Sequence, residues 1–266
     1  MVLMSKLKCA VLTTDTTHHR YFVNCLAPHT ELFVVLETAG LDFQALYWKW
    51  IKARKSLASF WDNPYLVKSY PTFGRNQEAY EARFFEGTVA REFTGDASYV
   101  RFPSVNNADC LAALQAFKPD LVVSFGTGKI AENVLATNAM MVNIHRGLLP
   151  PYRGLDSDLW AMYFQDFDNI GCTVHRLEPE LDTGPIIYQG RVDVTAGMKA
   201  HHIRYHTTVF ATNVIVDLIR KISTGVEVIE RPWDRAAAGY YSFIPYFKRR
   251  RAIQQFHAYT QHLGAA

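Results

Sequence analysis

A chain of 266 residues is long enough to bury a large hydrophobic core, so it needs no disulfide or metal ion to fold. Its composition, with 49% hydrophobic and 20% charged residues, excludes a disordered or fibrous protein. A formal net charge of +3 is too small to argue for a nucleic-acid partner.

Cysteine usage and hydropathy set the expected compartment. Cys9, Cys25, Cys110 and Cys172 form no closely spaced pair, which argues against a zinc knuckle and against a disulfide framework. The N-terminal sequence MVLMSKLKCAVLTTD lacks the apolar stretch of a signal peptide, and no run of about 18 apolar residues predicts a membrane span. We therefore expect a cytoplasmic protein that does not enter a membrane.

Short apolar runs alternate with helical patterns along much of the chain. Strands are predicted at 7–13, 32–36, 121–125 and 140–144, and helices at 20–27, 107–117 and 129–136. Further on, a helix is predicted over 159–167, two strands follow at 171–178 and 185–194, and a long amphipathic helix spans 202–222. Strands that alternate with helices are typical of an α/β fold with a mostly parallel sheet covered on both faces.

Two segments depart from this alternation. Residues 43–93 contain Trp48, Trp50, Trp61 and many charges at helical spacing, which predicts a helical insertion. Its tryptophans either line a pocket or belong to helices that pack on the edge of the sheet, and we favour the packing. We expect one catalytic domain over 1–222, including this insertion, and a C-terminal extension over 223–266. The aromatic stretch YYSFIPYF in that extension either covers an apolar surface of the chain or builds an interface, and a homodimer is one expectation for it.

The sequence NIHRGLLPPYRG at 143–154 is the first candidate for chemistry. Alternation along a strand sends Asn143 and His145 to the same side, and ligands of parallel sheets bind at the carboxyl ends of the strands. A structural explanation is a tight turn in which Asn143 and His145 bond backbone groups and the prolines shape the loop.

The sequence LDTG at 181–184 is the second candidate. A carboxylate at Asp182, placed near His145, would orient the imidazole and stabilise its protonated form. The structural alternative is a turn in which Gly184 takes the unusual backbone angle. Only the combination of the two motifs favours a catalytic site.

These two motifs, in this order and with GCTVH between them, resemble the signature of the folate-dependent formyltransferases. The family acts on glycinamide ribonucleotide, methionyl-tRNA and nucleotide-linked amino sugars, and the resemblance covers roughly residues 121–194. It implies a Rossmann-like domain, 10-formyltetrahydrofolate as the formyl donor and no metal ion. It also implies that Asn143, His145 and Asp182 are the catalytic residues. The family more often has proline at Arg146, serine at Gly147 and a lysine or glutamate-type residue at Pro151, which affects the shape of the acceptor loop.

By the same resemblance, the pterin of the donor lies beside the segment SFGTGKI and the turn around Asp182. Glycines there allow close approach of the backbone to a ring, although a strand-to-helix turn explains Gly126 and Gly128 equally well. The candidate donor-binding residues are Ser124, Phe125, Gly126, Gly128, Leu181 and Gly184.

Other polar residues have two interpretations each. His19 and Arg20, placed in the loop after the first strand, bind an acceptor phosphate or belong to a surface loop. Arg153 contacts an anionic acceptor or pins the proline turn, and Gly147 lies in the same loop and is a further candidate for acceptor binding. The candidate acceptor-binding residues are therefore His19, Arg20, Gly147 and Arg153.

Three further patterns compete with this hypothesis. Asp156 and Asp158 match the D-x-D pattern of metal-dependent glycosyltransferases, but their position before LWAM favours helix capping. His202 and His206 have a zinc-compatible spacing, but without an HExxH motif they are interpreted as solvent-facing. The basic run KRRR at 248–251 is interpreted as a solvated patch.

The expected acceptor is a small molecule, and we favour a nucleotide-linked amino sugar by elimination. The extension over 223–266 is too short for the C-terminal barrel of the methionyl-tRNA enzymes, and the low net charge argues against tRNA. Alternatives are another small amine, such as glycinamide ribonucleotide or a hydroxyornithine-type compound, and, in a different class, a D-x-D glycosyltransferase.

Overall fold

The computed structural model describes residues 6–38, 71–85, 91–137 and 139–264. The strands in these ranges are β1 (Lys8–Thr13), β2 (Glu31–Glu37), β3 (Ser98–Phe102), β4 (Leu121–Ser124), β5 (Met140–His145), β6 (Tyr152–Gly154), β7 (Gly171–Arg176), β8 (Ile186–Arg191) and β9 (Gly239–Tyr241). The helices are α1 (Thr17–Leu26), α2 (Pro71–Phe85), α3 (Ala108–Phe117), α4 (Glu132–Leu135), α5 (Ser157–Tyr163), α6 (Ile203–Ser223) and α7 (Tyr246–His262).

Within the described ranges, seven strands form one sheet in the order β3-β2-β1-β4-β5-β7-β8. The first five of these are parallel, and β7 is antiparallel to β5 and to β8. The carboxyl ends of β1, β4 and β5 therefore meet at one edge. The order and the crossover helices confirm the predicted Rossmann-like α/β fold.

Helices cover both faces of the sheet because its central strands are apolar on both sides. Along β1, Cys9 and Val11 face a core shared with α1 and α6, whereas Ala10 and Leu12 face a second core shared with α3 and α4. A strand buried on both faces needs an unbroken apolar run, which is what the sequence of β1 provides. A third core joins α5 to α7 of the C-terminal extension.

The insertion is described only in part. Helix α2 confirms the predicted helical character of 71–85, and Trp48, Trp50 and Trp61 lie outside the described residues. The expectation that the insertion packs on the edge of the sheet is wrong for α2, which packs on α1 and on the start of α6. There Glu81, fully buried, receives two hydrogen bonds from the guanidinium of Arg204, at 2.5 and 2.7 Å.

The C-terminal extension packs on β6 and α5. Strand β9 pairs with β6, and Phe256 of α7 is completely buried in the core shared with α5. None of the helices in the described residues combines the length and apolar character needed to span a bilayer.

Candidate active site

Asn143 and His145 lie at the carboxyl end of β5, on the same side of that strand as predicted. The antiparallel neighbour β7 places His175 directly beside Asn143. The turn between β7 and β8 carries Asp182 back over the end of these strands. Asp182 has a φ of 53°, a left-handed conformation that an aspartate tolerates better than most residues.

The carboxylate of Asp182 contacts the side chains of Asn143, His145 and His175. We call these four residues the Asp182 cluster. One oxygen, Oδ2, is 3.4 Å from His145 Nδ1 and accepts a 2.9 Å hydrogen bond from the backbone N–H of Gly154. The other, Oδ1, is 3.3 Å from His175 Nε2 and accepts a 3.2 Å hydrogen bond from Asn143 Nδ2. The structure thus brings the three predicted catalytic residues into contact.

His175 was not predicted as a site residue. It is 1% exposed, and its Nδ1 lies 2.7 Å from the carbonyl oxygen of Arg176. The sequence signal was its place in the strand GCTVH, but only the register of β7 against β5 shows that it faces Asn143 and Asp182.

The charge state of the Asp182 cluster follows from burial and contacts. Burial by itself raises the pKa of Asp182, but His145, His175 and the Gly154 N–H outweigh it and lower that pKa to about 2. Burial lowers the pKa of His145, with Asp182 and the Tyr152 carbonyl opposing the shift. At neutral pH the cluster therefore holds an ionised Asp182 beside a neutral His145.

Both ring nitrogens of His145 face hydrogen-bond acceptors. Nε2 donates to the Tyr152 carbonyl oxygen at 2.7 Å, and Nδ1 faces Asp182 Oδ2. A second proton on this ring therefore has an acceptor already in place. This arrangement suits a histidine that gains and releases a proton during a reaction.

A cavity of about 170 Å³ opens beside the Asp182 cluster. Of the residues predicted from sequence, it is lined by Ser124, Gly126, Gly128, Asn143, His145, Leu181 and Asp182. Apolar side chains, including Ile130, Ile144 and Leu177, alternate with these polar groups, as is usual in small-molecule sites. The volume suits the reacting ends of two substrates rather than two whole molecules of drug size.

Two predicted donor-binding residues do not line this cavity. Phe125 directly follows β4, and its ring is buried against His18, His19 and Phe22 of α1. Gly184 lies against β7, where a β-carbon would come within 2.0 Å of the Arg176 carbonyl oxygen. Its role is close packing of the turn that carries Asp182.

His19 and Arg20 are not in a loop, because α1 begins at Thr17. His19 is buried, and its Nδ1 contacts the hydroxyls of Thr14 and Thr16 at 2.8 and 3.0 Å. A β-carbon on Gly126 would lie 2.6 Å from His19 Nε2, so the ring packs on that glycine rather than facing the cavity. Arg20 forms an ion pair with Asp15 at 2.6 Å.

Gly147 and Arg153 support the site without lining the cavity. A β-carbon on Gly147 would come within 2.6 Å of both His145 Nε2 and Ser157 Cβ, so only glycine fits behind that histidine. Arg153 donates a 3.1 Å hydrogen bond to the carbonyl oxygen of Leu181, and thereby holds the turn before Asp182.

The competing patterns are also reassigned. Asp156 occupies the N-cap position of α5, but its carboxylate makes no capping bond and instead binds the Ile244 N–H and the Arg249 guanidinium. The KRRR run is therefore not a simple solvated patch, since Arg249 is paired and Lys248 lies 5.3 Å from the centre of the Trp160 ring. His202 is half-buried and stacks on Tyr80 at 3.9 Å, and His206 is half-buried too, so neither is solvent-facing.

Comparison with known proteins places this geometry in context. The model of the family described as formyl transferase matches residues 80–219. The methionyl-tRNA formyltransferase of Thermotoga maritima is 26% identical over 164 residues, which are 60% of this chain and 50% of that protein. The chain spans about half the length of the curated relatives it matches.

Solved structures share the fold at low identity. A sugar N-formyltransferase from Shewanella sp. FDAARGOS_354 aligns over 94% of this chain and 87% of that one, with a TM-score of 0.53 and 12% identity. HypX from Aquifex aeolicus, in complex with tetrahydrofolic acid, aligns over 93% of this chain and 34% of its own, with a TM-score of 0.55 and 13% identity.

Proposed function

The chain belongs to the formyl transferase family, and we propose that it transfers a formyl group from 10-formyltetrahydrofolate to the amine of a small acceptor. The observation that carries the proposal is the Asp182 cluster itself. The ionised Asp182 carboxylate accepts a hydrogen bond from the Asn143 amide and lies 3.4 Å from the His145 imidazole, beside a cavity at the carboxyl edge of the sheet.

The chemistry assigns a role to each member of the predicted triad. Attack of a neutral amine on the formyl carbon places negative charge on the formyl oxygen and positive charge on the amine. Asn143 Nδ2 has two N–H groups, and one donates to Asp182. The other serves the developing oxyanion when a substrate replaces the contact with His175 Nε2, which is 3.2 Å away.

His145 supplies the second donor and handles the proton. In the free protein its Nε2–H is bound to the Tyr152 carbonyl oxygen, so it must leave that oxygen to reach a substrate. Such contacts commonly tighten only in the substrate complex. Asp182 stabilises the protonated ring and, directly or through water, accepts the proton that leaves the amine. A proton is returned to the folate nitrogen as its bond to the formyl carbon breaks and tetrahydrofolate leaves.

The donor side of the cavity fits a flat, partly polar ring. Ile130, Leu177 and Leu181 provide apolar surface, and Gly126 and Gly128 remove side-chain bulk. When bound, the folate supplies the activated formyl group. The segment 124–130 and the turn carrying Asp182 position it against Asn143. We propose Ser124, Gly126, Gly128 and Leu181 for this role, without Phe125 and Gly184.

For the acceptor, we propose a nucleotide-linked amino sugar. The sugar N-formyltransferase structure aligns over 94% of this chain, whereas the glycinamide ribonucleotide transformylase from Symbiobacterium toebii aligns over 86% of it. The D-x-D glycosyltransferase hypothesis loses its main support, because Asp156 is already bound to Arg249. Methionyl-tRNA and glycinamide ribonucleotide remain as acceptors to test.

The test follows release of tetrahydrofolate from 10-formyltetrahydrofolate, with a panel of amines. The panel contains free and nucleotide-linked amino sugars, glycinamide ribonucleotide, a hydroxyornithine and methionyl-tRNA. Formylation of a nucleotide-linked amino sugar supports the full proposal, and formylation of tRNA alone would refute the choice of acceptor. A reaction with sugar donors that stops on chelation would instead favour the glycosyltransferase.

His145→Ala is expected to lower the turnover number at least about a hundredfold, because the step loses its proton-handling group. Binding of the folate, followed by fluorescence titration, should change little. His29→Ala, at an exposed histidine, is the matched control and should retain full activity. Near-normal turnover by His145→Ala would sink the assignment.

A further inference from the structure

Arg146 is the residue directly after His145, at the point where β5 ends. Arg146 lines the cavity, as do residues of the proposed donor segment, Asp156 and Ser157. Consecutive Cα atoms are about 3.8 Å apart, so a group held by this guanidinium lies within about 10 Å of a substrate atom at His145.

The guanidinium of Arg146 has no ion pair or hydrogen bond to any residue in the described part of the chain. Other arginines around the site are each held by an acceptor: Arg153 by the Leu181 carbonyl oxygen, Arg204 by Glu81 and Arg249 by Asp156. A half-buried cation without a partner is costly, and a bound anion offsets that cost.

Nearby carboxylates are already committed to other donors. Asp182 contacts His145 and His175, and Asp156 forms an ion pair with Arg249. Glu178 and Glu180 both pair with Arg235. Asp158 accepts from the N–H of Leu159 at 2.9 Å. Arg146 therefore lines the cavity without an ion pair to any of these carboxylates, although its charge opposes the burial that raises the pKa of Asp156.

The neighbouring histidines do not compete for an anion. Burial lowers the pKa of His18 well below its ordinary value, with the charges of Arg204 and Arg146 adding to the effect. The pKa of His19 is lowered in the same direction, by burial first and by His18 and Arg146 next. Both rings are neutral at pH 7, so the positive charges at the cavity are those of Arg146 and of Lys129, which also lines it.

We propose that Arg146 binds an anionic group, a phosphate or a carboxylate, on the acceptor, and so selects amines that carry a negative charge close to the reacting nitrogen. An arginine suits this role because its fork of N–H groups matches two oxygens of one anion. The proposal rests on the proposed formyl transfer and names the residue that binds the negative charge of its acceptor. It also assigns a specificity role to a residue outside the predicted triad.

The first experiment compares two acceptors that differ only in the anion: an amino sugar that the enzyme formylates, and the same sugar carrying a phosphate. Arg146→Met should raise the KM for the phosphorylated sugar at least about tenfold, as expected for a lost charged hydrogen-bond pair. The turnover number, the KM for the free sugar and the KM for 10-formyltetrahydrofolate should stay within twofold of wild type, which a merely structural defect would not allow. Arg146→Lys should recover part of the loss.

Arg220→Met is the matched control, because it removes an exposed arginine from α6 far from the Asp182 cluster. An equal rise in KM for both sugars would overturn the proposal, as would a rise confined to the donor. The latter result would assign Arg146 to the carboxylates of the folate.

A second experiment separates this proposal from formyl transfer. Inorganic phosphate is titrated into wild type, Arg146→Met and Arg220→Met, and its binding is followed by calorimetry. Binding to wild type and Arg220→Met, with loss in Arg146→Met, supports the anion site. Equal binding by all three, or none by wild type, would overturn it even if formyl transfer is observed. Failure of every amine in the panel would instead refute the proposed function.

Discussion

Asp182 is the residue on which the other site residues depend. Its two oxygens contact two histidines, an amide and a backbone N–H, so one side chain sets the orientation of groups from β5, β7 and the YRG segment. Because its pKa is held at about 2, the carboxylate stays ionised across the physiological range. It can therefore stabilise positive charge on His145 whenever that charge forms.

Asp182→Asn tests the energetic side of this arrangement. The pKa of Asp182 is lower in the folded protein than in the unfolded chain, so its contribution to stability is present above about pH 4 and is lost as the pH falls towards 2. We expect the variant to lose about 2 kcal/mol of unfolding free energy at neutral pH. The difference from wild type should vanish near pH 2, as measured by urea titration.

Asp168→Asn is the control for that measurement, because Asp168 is exposed. Its unfolding free energy should follow wild type at every pH. If Asp182→Asn differed from wild type by the same amount at pH 2 and pH 7, the ionised carboxylate would not be the source of the stabilisation.

At the scale of the elements, α2 is held to α6 by a buried ion pair. Glu81 is fully buried and Arg204 donates two hydrogen bonds to it, while Tyr80 of the same helix stacks on His202. His18 of α1 lies 3.6 Å from the same carboxylate. Residues of three helices, α1, α2 and α6, therefore meet at the Glu81 carboxylate.

Glu81→Ala should destabilise the protein by about 3–5 kcal/mol, because it leaves Arg204 buried without its partner. The free energy of unfolding in denaturant checks this. The double variant Glu81→Met/Arg204→Met removes both charges and should recover most of the loss. A double variant as unstable as Glu81→Ala would show that packing, rather than the unpaired charge, accounts for the effect.

The elements also show where prediction from sequence stopped. Central strands were found because a strand buried on both faces is a continuous apolar run, whereas β3 was missed because most of its side chains are exposed at the sheet edge. The start of α1 was missed because TTDTTHH has no apolar periodicity, although Thr17 and His18 already belong to the helix.

At the candidate site, the local sequence pattern predicts only part of the arrangement of side chains. Strand alternation placed Asn143 and His145 on one side, but nothing local predicts that Asp182 returns to them, and that came from the resemblance to a family. His175 and the Arg249 contact with Asp156 depend on strand register and on helix packing between distant segments. The catalytic roles of the triad stay predictions until the variants are measured.

For the whole molecule, the histidines dominate the response to acid. Of its 10 histidines, seven have a lowered pKa, in each case with burial as the largest cause. They are His18, His19, His145, His201, His202, His206 and His257. Each binds protons more readily in the unfolded chain than in the folded protein.

The free energy of unfolding is therefore expected to fall as the pH drops below about 6.5. In that range these histidines bind protons in the unfolded chain but stay neutral in the folded protein. The double variant His18→Gln/His19→Gln should show a shallower fall between about pH 7 and pH 5. Urea titrations across that range measure the slope. The exposed His29→Gln should leave the slope unchanged, and an unchanged slope in the double variant would contradict the prediction.

The pairing of β6 with β9 limits which residues near the cavity can be substituted during evolution. A β-carbon on Gly154 would come within 2.1 Å of the Tyr241 carbonyl oxygen, and one on Gly147 would strike His145 and Ser157. Any side chain larger than glycine would therefore clash at Gly147 and Gly154, so these two positions of the loop between β5 and α5 are not free to change. Substitution stays open at Arg146 and Leu155, which line the cavity. Selection for a new acceptor would therefore change the charge and size of those two positions, and keep the C-terminal extension that holds the loop in place.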